Sequence, residues 1–341
     1  MSDRIRALRE RQGLTQQALA DRAGLTRQLV GAMEAKRHSP NVAAAIAVAR
    51  ALGVSVEELF RDDPTLTAPI DTAPADGAPV RVGRVGDLVV VDHGRACRGT
   101  EERWSLSDGV WSAGEVDLFP GAEPAELVIA GCDPMIGPLA EFVERRGPHR
   151  VLTVHASTRR ATEALENGRA HAAIVHGPRG SLDPGSLPVR RWHLARWQAG
   201  LAGAGRHAPS LDELVGRHSR VIQRESGAAT QAALDRALAR AGADGSLPGP
   251  VGAGHLDVAR RVRSREGRAG VTMEAAAVAL ELRFVALEEH EVEIWIDRRW
   301  IEEPAVTALI ETLTGDTFAR RAATVPGYDV SGAGTELGQV G

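Results

Sequence analysis

LTQQALADRAGLTRQLVGAMEAKR, residues 14–37, reads as two short helices that meet at a tight turn. Leu14, Ala18, Leu19, Ala23, Leu25, Val30 and Met33 recur at helical spacing, so their apolar side chains can pack the two helices together. Gly24 supplies the turn. Thr15 and Thr26 each stand just before a helix, where a hydroxyl can accept from the unpaired N–H groups of the first turn. The polar residues then fall outside, with Thr26, Arg27, Gln28 and Gly31 at the start of the second helix.

The same punctuation extends in both directions. Ser2 opens a helix that runs to Gln12 and stops at Gly13; Asn41 precedes VAAAIAVARAL with Gly53 after it; Ser55 precedes VEELF. Residues 1–61 are therefore expected to form an all-α module of five helices. Residues 62–79, with Pro64, Pro69, Pro74 and Pro79 among small residues, are expected to be a flexible linker. Residues 80–124 carry the alternation and glycine spacing of short strands and read as a small β-rich segment. From 125 to 335, apolar strands alternate with amphipathic helices: ELVIAGCD then PMIGPLAEFVERR, RVLTVHAS then TRRATEALENG, AHAAIVHGP, SRVIQRES then GAATQAALDRALARAG, and a terminal helix AVTALIETLTGDTFARRAA. That order implies α/β architecture with parallel sheet.

Composition narrows the function classes. The chain of 341 residues is 43% hydrophobic and 25% charged, ordinary for a soluble globular protein. The N-terminus MSDRIRALRERQG is charged where a secretory signal is apolar, and no apolar run approaches the ~20 residues that span a bilayer, so a cytoplasmic, non-membrane protein is expected. The two cysteines, Cys97 and Cys132, lack metal-ligand spacing and read as reduced thiols, with no metal expected. Ten basic against six acidic side chains through residue 61 give the head a surplus of four, which leaves −8 on the rest of a chain of net charge −4. A basic head on an acidic body suits contact with phosphate by the head alone.

In a helix-turn-helix the second helix enters the major groove of DNA. Arginine pairs bidentately with guanine and glutamine with adenine, which makes Arg27 and Gln28 the candidate base readers. Thr15 and Gln16, at the start of the preceding helix, are placed for phosphate, and Lys36, Arg37 and His38 follow the recognition helix. Residues 4–60 resemble the phage-repressor, or XRE, helix-turn-helix family: the LTQQALA opening, the Gly24 turn, Glu34, the Ser39-Pro40 step and the closing LGVSVEELF carry the likeness. Ala35-Lys36 departs from it, since the family often has a glycine there. A helical bundle serving only protein contact is the alternative.

The second half, roughly 125–335, resembles the periplasmic-binding-protein-like domain found fused to helix-turn-helix modules and related to molybdate-type solute receptors. ELVIAGCDPMIGPLAEF, TVHASTRRATEALENGRAHAAIVHGP, VIQRESGAATQAALDRALARAG and TVPGYDVSGAGTE carry this likeness. It implies a type II, two-lobed α/β domain with a small ligand between the lobes, lobe one being 125–190 with 290–335 and lobe two 191–289. Ligands in α/β folds sit where strand ends meet helix starts. Three such junctions are Gly131-Cys132-Asp133, Ala156-Ser157-Thr158, and Glu225-Ser226-Gly227 through Thr230. Ser157, Thr158, Ser226 and Thr230 are preferred contacts, with His176 also a candidate. Ser157 and Ser226 serve equally as N-caps, Cys132 as a small buried thiol, His155 and His176 as structural histidines, and Tyr328 as packing. Arg224 could neutralise an anion or pair with Glu225, and Glu274 would repel an oxyanion.

These readings combine into a one-component, non-enzymatic regulator: a homodimer on a two-fold double-stranded operator, governed by a small-molecule effector such as molybdate, tungstate or another oxyanion, with no cofactor. Two other classes remain open on the residues. One is an enzyme with Cys132 as nucleophile and His155 or His176 as base. The other is a DNA-binding scaffold or antitoxin-like protein whose body holds a protein partner.

Overall fold

The computed structural model describes residues 2–35, 40–56, 59, 66–70, 72–93, 106–243 and 247–338. Lys36, Arg37, His38, Cys97 and most of VEELF lie outside the described residues. The chain divides into two compact units, Met1–Thr65 and Leu66–Gly341.

The first unit contains α1 (Ser2–Arg11), α2 (Gln16–Ala23), α3 (Arg27–Glu34) and α4 (Val42–Leu52). The cap chemistry works as the sequence suggests: Thr15 accepts from the Ala18 amide at 3.1 Å, Thr26 from Leu29 at 3.2 Å and Asn41 from Ala44 at 2.9 Å. Gly24, at φ +63°, closes α2 in the left-handed conformation that glycine adopts without penalty. Ile5, Leu19, Val30, Met33, Val48, Leu52 and Leu59 form the core, with Leu14, Ala23 and Leu25 packed against it. Glu34 is buried beneath this surface and accepts from Arg9 Nε at 2.7 Å and from Gln16 Nε2 at 2.8 Å.

The second unit opens with a five-stranded sheet in the order β1-β3-β2-β4-β5: β1 (Leu66–Pro69), β2 (Pro79–Val85), β3 (Leu88–Asp92), β4 (Gly109–Ser112) and β5 (Glu115–Leu118). The expected linker at 62–79 is thus partly strand, because Leu66–Pro69 pairs in parallel with Leu88–Val91. Prolines do not prevent this on an edge strand, where the missing N–H faces away from the ladder. Arg84 donates to the Ala125 carbonyl at 2.8 Å, and Val85 and Val90 share a core with Val128, Leu152 and Ala164. The β-rich segment is part of the body rather than a free module.

Eight strands make the main sheet, ordered β10-β11-β9-β12-β8-β6-β7 with β13 (Glu336–Leu337) beside β9. β6 (Leu127–Gly131), β7 (Val151–His155) and β8 (Ala172–Pro178) with α5 (Ile136–Glu144) and α6 (Thr158–Glu166) build lobe one. β10 (Val221–Ile222), β11 (Ala269–Met273), α7 (Leu211–Gly216), α8 (Ala229–Arg240), α9 (His255–Arg263) and α10 (Glu274–Ala279) build lobe two. β6 is buried throughout, as a parallel strand covered on both faces must be. β9 (Val189–Gly203) and β12 (Arg283–Asp297) are 15 residues each and run antiparallel through both lobes.

Two expectations are corrected here. β9 pairs with β13 at Arg191 and Trp192 and with β11 only from Ala199 to Ala202, so residues 191–198 stay with lobe one and the lobes change inside an unbroken strand rather than at 190. The terminal helix is two, α11 (Pro304–Thr314) and α12 (Asp316–Ala322), because Gly315 is extended at ψ 141°. No helix among the described residues is long and apolar enough to cross a membrane.

Candidate functional site

In the head, Thr26, Arg27 and Gln28 are exposed at the N-terminal end of α3, where a groove-reading helix presents its side chains. The Thr15 and Thr26 hydroxyls are both engaged as caps. Gln16 has one amide N–H committed, donated to buried Glu34 at 2.8 Å, and a Cβ on Gly31 would make ordinary contact, 3.7 Å, with the amide oxygen. That bond ties Gln16 of α2 to Glu34 of α3, because a buried carboxylate must be hydrogen-bonded.

In the body, both lobes contribute to one buried polar cluster. β6 ends at Gly131, whose missing side chain lets the strand lie against β8; a Cβ there would stand 2.8 Å from the Ile174 carbonyl oxygen. The next residue, Cys132, points its sulfur at His176 Nε2 on β8, 3.2 Å away, and at His255 Nε2, the first residue of α9 in lobe two, 3.9 Å away. His176 Nδ1 meets His290 Nδ1 at 3.0 Å, and His290 Nε2 meets Glu288 Oε1 at 2.7 Å. Trp197 of β9 packs its ring 4.7 Å from that of His176. Arg224 is fully buried, forked onto Glu225 at 2.9 and 3.0 Å, with Nη1 3.5 Å from His255 Nδ1.

The lobes also touch at the rim. Arg159 donates to the Ser226 carbonyl at 3.3 Å, and Gly254 admits the His155 ring, which a Cβ would meet at 2.9 Å. Burial pushes the Cys132 thiol up to about 11, and burial pushes His176 and His255 well below the ordinary imidazole range. Burial opposes the charge on Glu288, but hydrogen bonds from Arg236 and His290 outweigh it and hold this carboxyl below its usual value.

Of the ligand contacts read from the sequence, Cys132 and His176 come together. Asp133 does not join them: its carboxylate accepts from Met135 N at 2.8 Å, Tyr328 OH at 2.8 Å and Trp197 Nε1 at 3.0 Å, so it locks three segments of the fold. Thr158 is likewise committed, since its hydroxyl bonds the backbone of His176 at 3.1 and 3.2 Å. Ser226 and Gly227 are exposed at the rim, and Glu225 is taken by Arg224. Ser157 Oγ and Thr230 Oγ1 are buried at the first turns of α6 and α8 with no partner among the described residues.

Sequence reasoning missed His255, His290 and Trp197. His255 had a signal, a Gly-His step opening the amphipathic HLDVARRVR, but that helix was not separated from the strand after it. His290 and Trp197 lie on the two crossing strands, and only their pairing at His290–Trp197 brings them to the cluster.

A model of the PBP superfamily domain matches residues 139–314, just over half of the chain, and the chain belongs to that superfamily. A helix-turn-helix model matches residues 5–59. An uncharacterized HTH-type transcriptional regulator of Methanothermobacter thermautotrophicus is 47% identical over 57 residues, which cover 16% of this chain and 83% of that protein. Among solved structures, the effector binding domain of QuiR in complex with shikimate is 11% identical, covering 54% of this chain and 92% of its own, with a TM-score of 0.42. The restriction-modification controller protein C.AhdI from Aeromonas hydrophila is 36% identical, covering 17% of this chain and 89% of its own, with a TM-score of 0.17. The chain is a helix-turn-helix transcriptional regulator of XRE type with a PBP-like body.

Proposed function

We propose that a small ligand held between the two lobes sets the affinity of the head for its operator, the protein acting in the cytoplasm as a homodimer on two half-sites. One observation carries this reading: Cys132 and His176 of lobe one and His255 and Arg224 of lobe two form a single buried polar cluster. A ligand that engages both halves favours one lobe arrangement, and only such differential affinity can change DNA binding. The test is to select duplex DNA from a random pool with the full chain, then measure operator affinity with and without candidate ligands. A shift of roughly 5- to 150-fold is expected for the cognate ligand. Operator affinity that never changes, while ligand demonstrably binds the body, would remove the switch.

A second reading for the ligand is an oxyanion such as molybdate or tungstate. Its support is the pair of partnerless hydroxyls, Ser157 Oγ and Thr230 Oγ1, at helix starts in opposite lobes, where N–H groups favour anions. On that reading Ser157→Ala and Thr230→Val each weaken molybdate binding in calorimetry, and retention of full affinity by both variants would count against it.

A further inference from the structure

We propose that Cys132, His176 and His255 bind a thiophilic d10 metal ion, copper(I) or zinc(II), and that this ion is the cleft ligand; its regulatory consequence rests on the reading above, the site itself does not. The three donor atoms, Sγ and two Nε2, lie within 4.8 Å of one another. A tetrahedral centre with metal–sulfur and metal–nitrogen bonds of ordinary length separates S from N by about 3.6 Å. The observed separations, 3.2 and 3.9 Å, bracket that value.

The surroundings prepare one ligand for the role. Arg236 and His290 hold Glu288 ionised, and its carboxylate accepts from His290 Nε2. His290 Nδ1 is then bare and accepts from His176 Nδ1, which leaves His176 Nε2 with a lone pair aimed at the Cys132 sulfur. A carboxylate acting through an imidazole to fix the tautomer of a ligating histidine is the arrangement that metal sites use. An irregularity in β12 between Ala286 and Glu288 sits beside this relay, as bulges do where a side chain must be re-aimed.

On binding, the Cys132 S–H bond breaks, the sulfur keeps the electron pair for the metal, and the proton leaves to solvent; no electron is transferred. His255 changes tautomer. Arg224 only donates, so its 3.5 Å contact with Nδ1 puts the ring proton on Nε2 in the free protein. The metal needs Nε2 bare, which moves that proton to Nδ1 and ends the long contact, while Arg224 keeps both bonds to Glu225. The loaded and free states thus differ at the lobe-two turn that leads into α8. A thiolate with Cu+ is neutral, whereas a thiolate with Zn2+ leaves one positive charge beside buried Arg224, so burial favours copper(I).

The test uses the reduced full chain without oxygen, titrated with Cu+ against bicinchoninate and, separately, with Zn2+ against a chromophoric chelator. One equivalent should bind, and Cys132→Ser and His255→Ala should abolish it while Cys97→Ser leaves it intact. Glu288→Gln should weaken binding about 10- to 100-fold through the relay. Circular dichroism and melting keep folding defects apart from ligand loss. Absence of a stoichiometric ion in both titrations, or unchanged binding by Cys132→Ser, overturns the proposal. If molybdate shifts operator affinity and neither metal binds, the metal falls and the regulator reading stands. If metal binds through Cys132 and operator affinity stays constant, the site stands and the regulator reading falls.

Discussion

Replacing Asp133 by asparagine should destabilise the body through three lost or weakened hydrogen bonds. The carboxylate is wholly buried; Oδ1 accepts from Met135 N and Tyr328 OH at 2.8 Å each, and Oδ2 accepts from Trp197 Nε1 at 3.0 Å. Asparagine keeps an oxygen for the first two but turns an NH2 donor toward the indole N–H, so the third bond becomes a clash. A hydrogen bond to a charged group contributes about 1.5–3 kcal/mol, and leaving a buried donor unpaired costs about 1–3 kcal/mol more. Part is returned, because burial pushes the Asp133 carboxyl above its ordinary value, which marks a cost of keeping it charged. A net loss of about 2–3 kcal/mol follows, and at roughly 2–4 °C per kcal/mol the unfolding midpoint drops by about 4–12 °C. All six tryptophans lie in the body, so tryptophan fluorescence during thermal unfolding of the full chain reports that unit alone. An unchanged midpoint accompanied by lost ligand binding would refute the structural role and restore Asp133 as a contact.

Arg9→Met should leave buried Glu34 without its 2.7 Å guanidinium bond, with only the more distant Arg6 at 3.8 Å and the Gln16 amide, at a cost to the head of up to about 3 kcal/mol, the low end for a broken buried pair. Amide hydrogen exchange in α1–α3 checks this, and undiminished protection there would contradict it. Arg27→Ala, exposed at the first position of α3, should cost about 1–3 kcal/mol on the selected operator and far less on unrelated DNA; equal losses on both would exclude base readout. His171 is buried, accepts from Val128 N at 3.0 Å, and burial lowers its pKa from 6.5 to about 4. Its folded pKa is depressed, so its contribution is complete above pH 6.5 and is lost as pH falls toward 4, by about 3 kcal/mol at most. Urea unfolding of wild type and His171→Gln should show the wild-type advantage narrowing over that window, whereas a gap that ignores pH would sink the argument.

The head was almost wholly legible in sequence. Its helices are local, its caps lie within three residues of the amides they bind, and its apolar spacing repeats at the helical period, so Thr15, Gly24, Thr26 and Asn41 announce their roles without reference to anything distant. Gln16 is the instructive exception. Its partner Glu34 is 18 residues away, and no local pattern says that a polar side chain turns inward. Pro69 in the strand 66–69 misled for a related reason, since an edge position is a property of the sheet and not of the tetrapeptide.

In the body, strand–helix alternation and the three strand-end junctions were readable, while the two-lobed class came from the resemblance to the periplasmic-binding-protein-like domain. The occupants of the cleft were not. Cys132 meets His176 across 44 positions and His255 across 123, and His176 meets His290 across 114. Asp133, one residue after Cys132, is spent entirely on Trp197, Tyr328 and a backbone amide. The sequence by itself determined the helices of the DNA-binding head and the outline of strand–helix alternation in the body, because hydrophobic period and cap chemistry act over a few residues. The tertiary structure decided which polar groups face one another in the cleft, because burial and hydrogen-bond geometry there arise only when two 15-residue strands carry distant segments to one place.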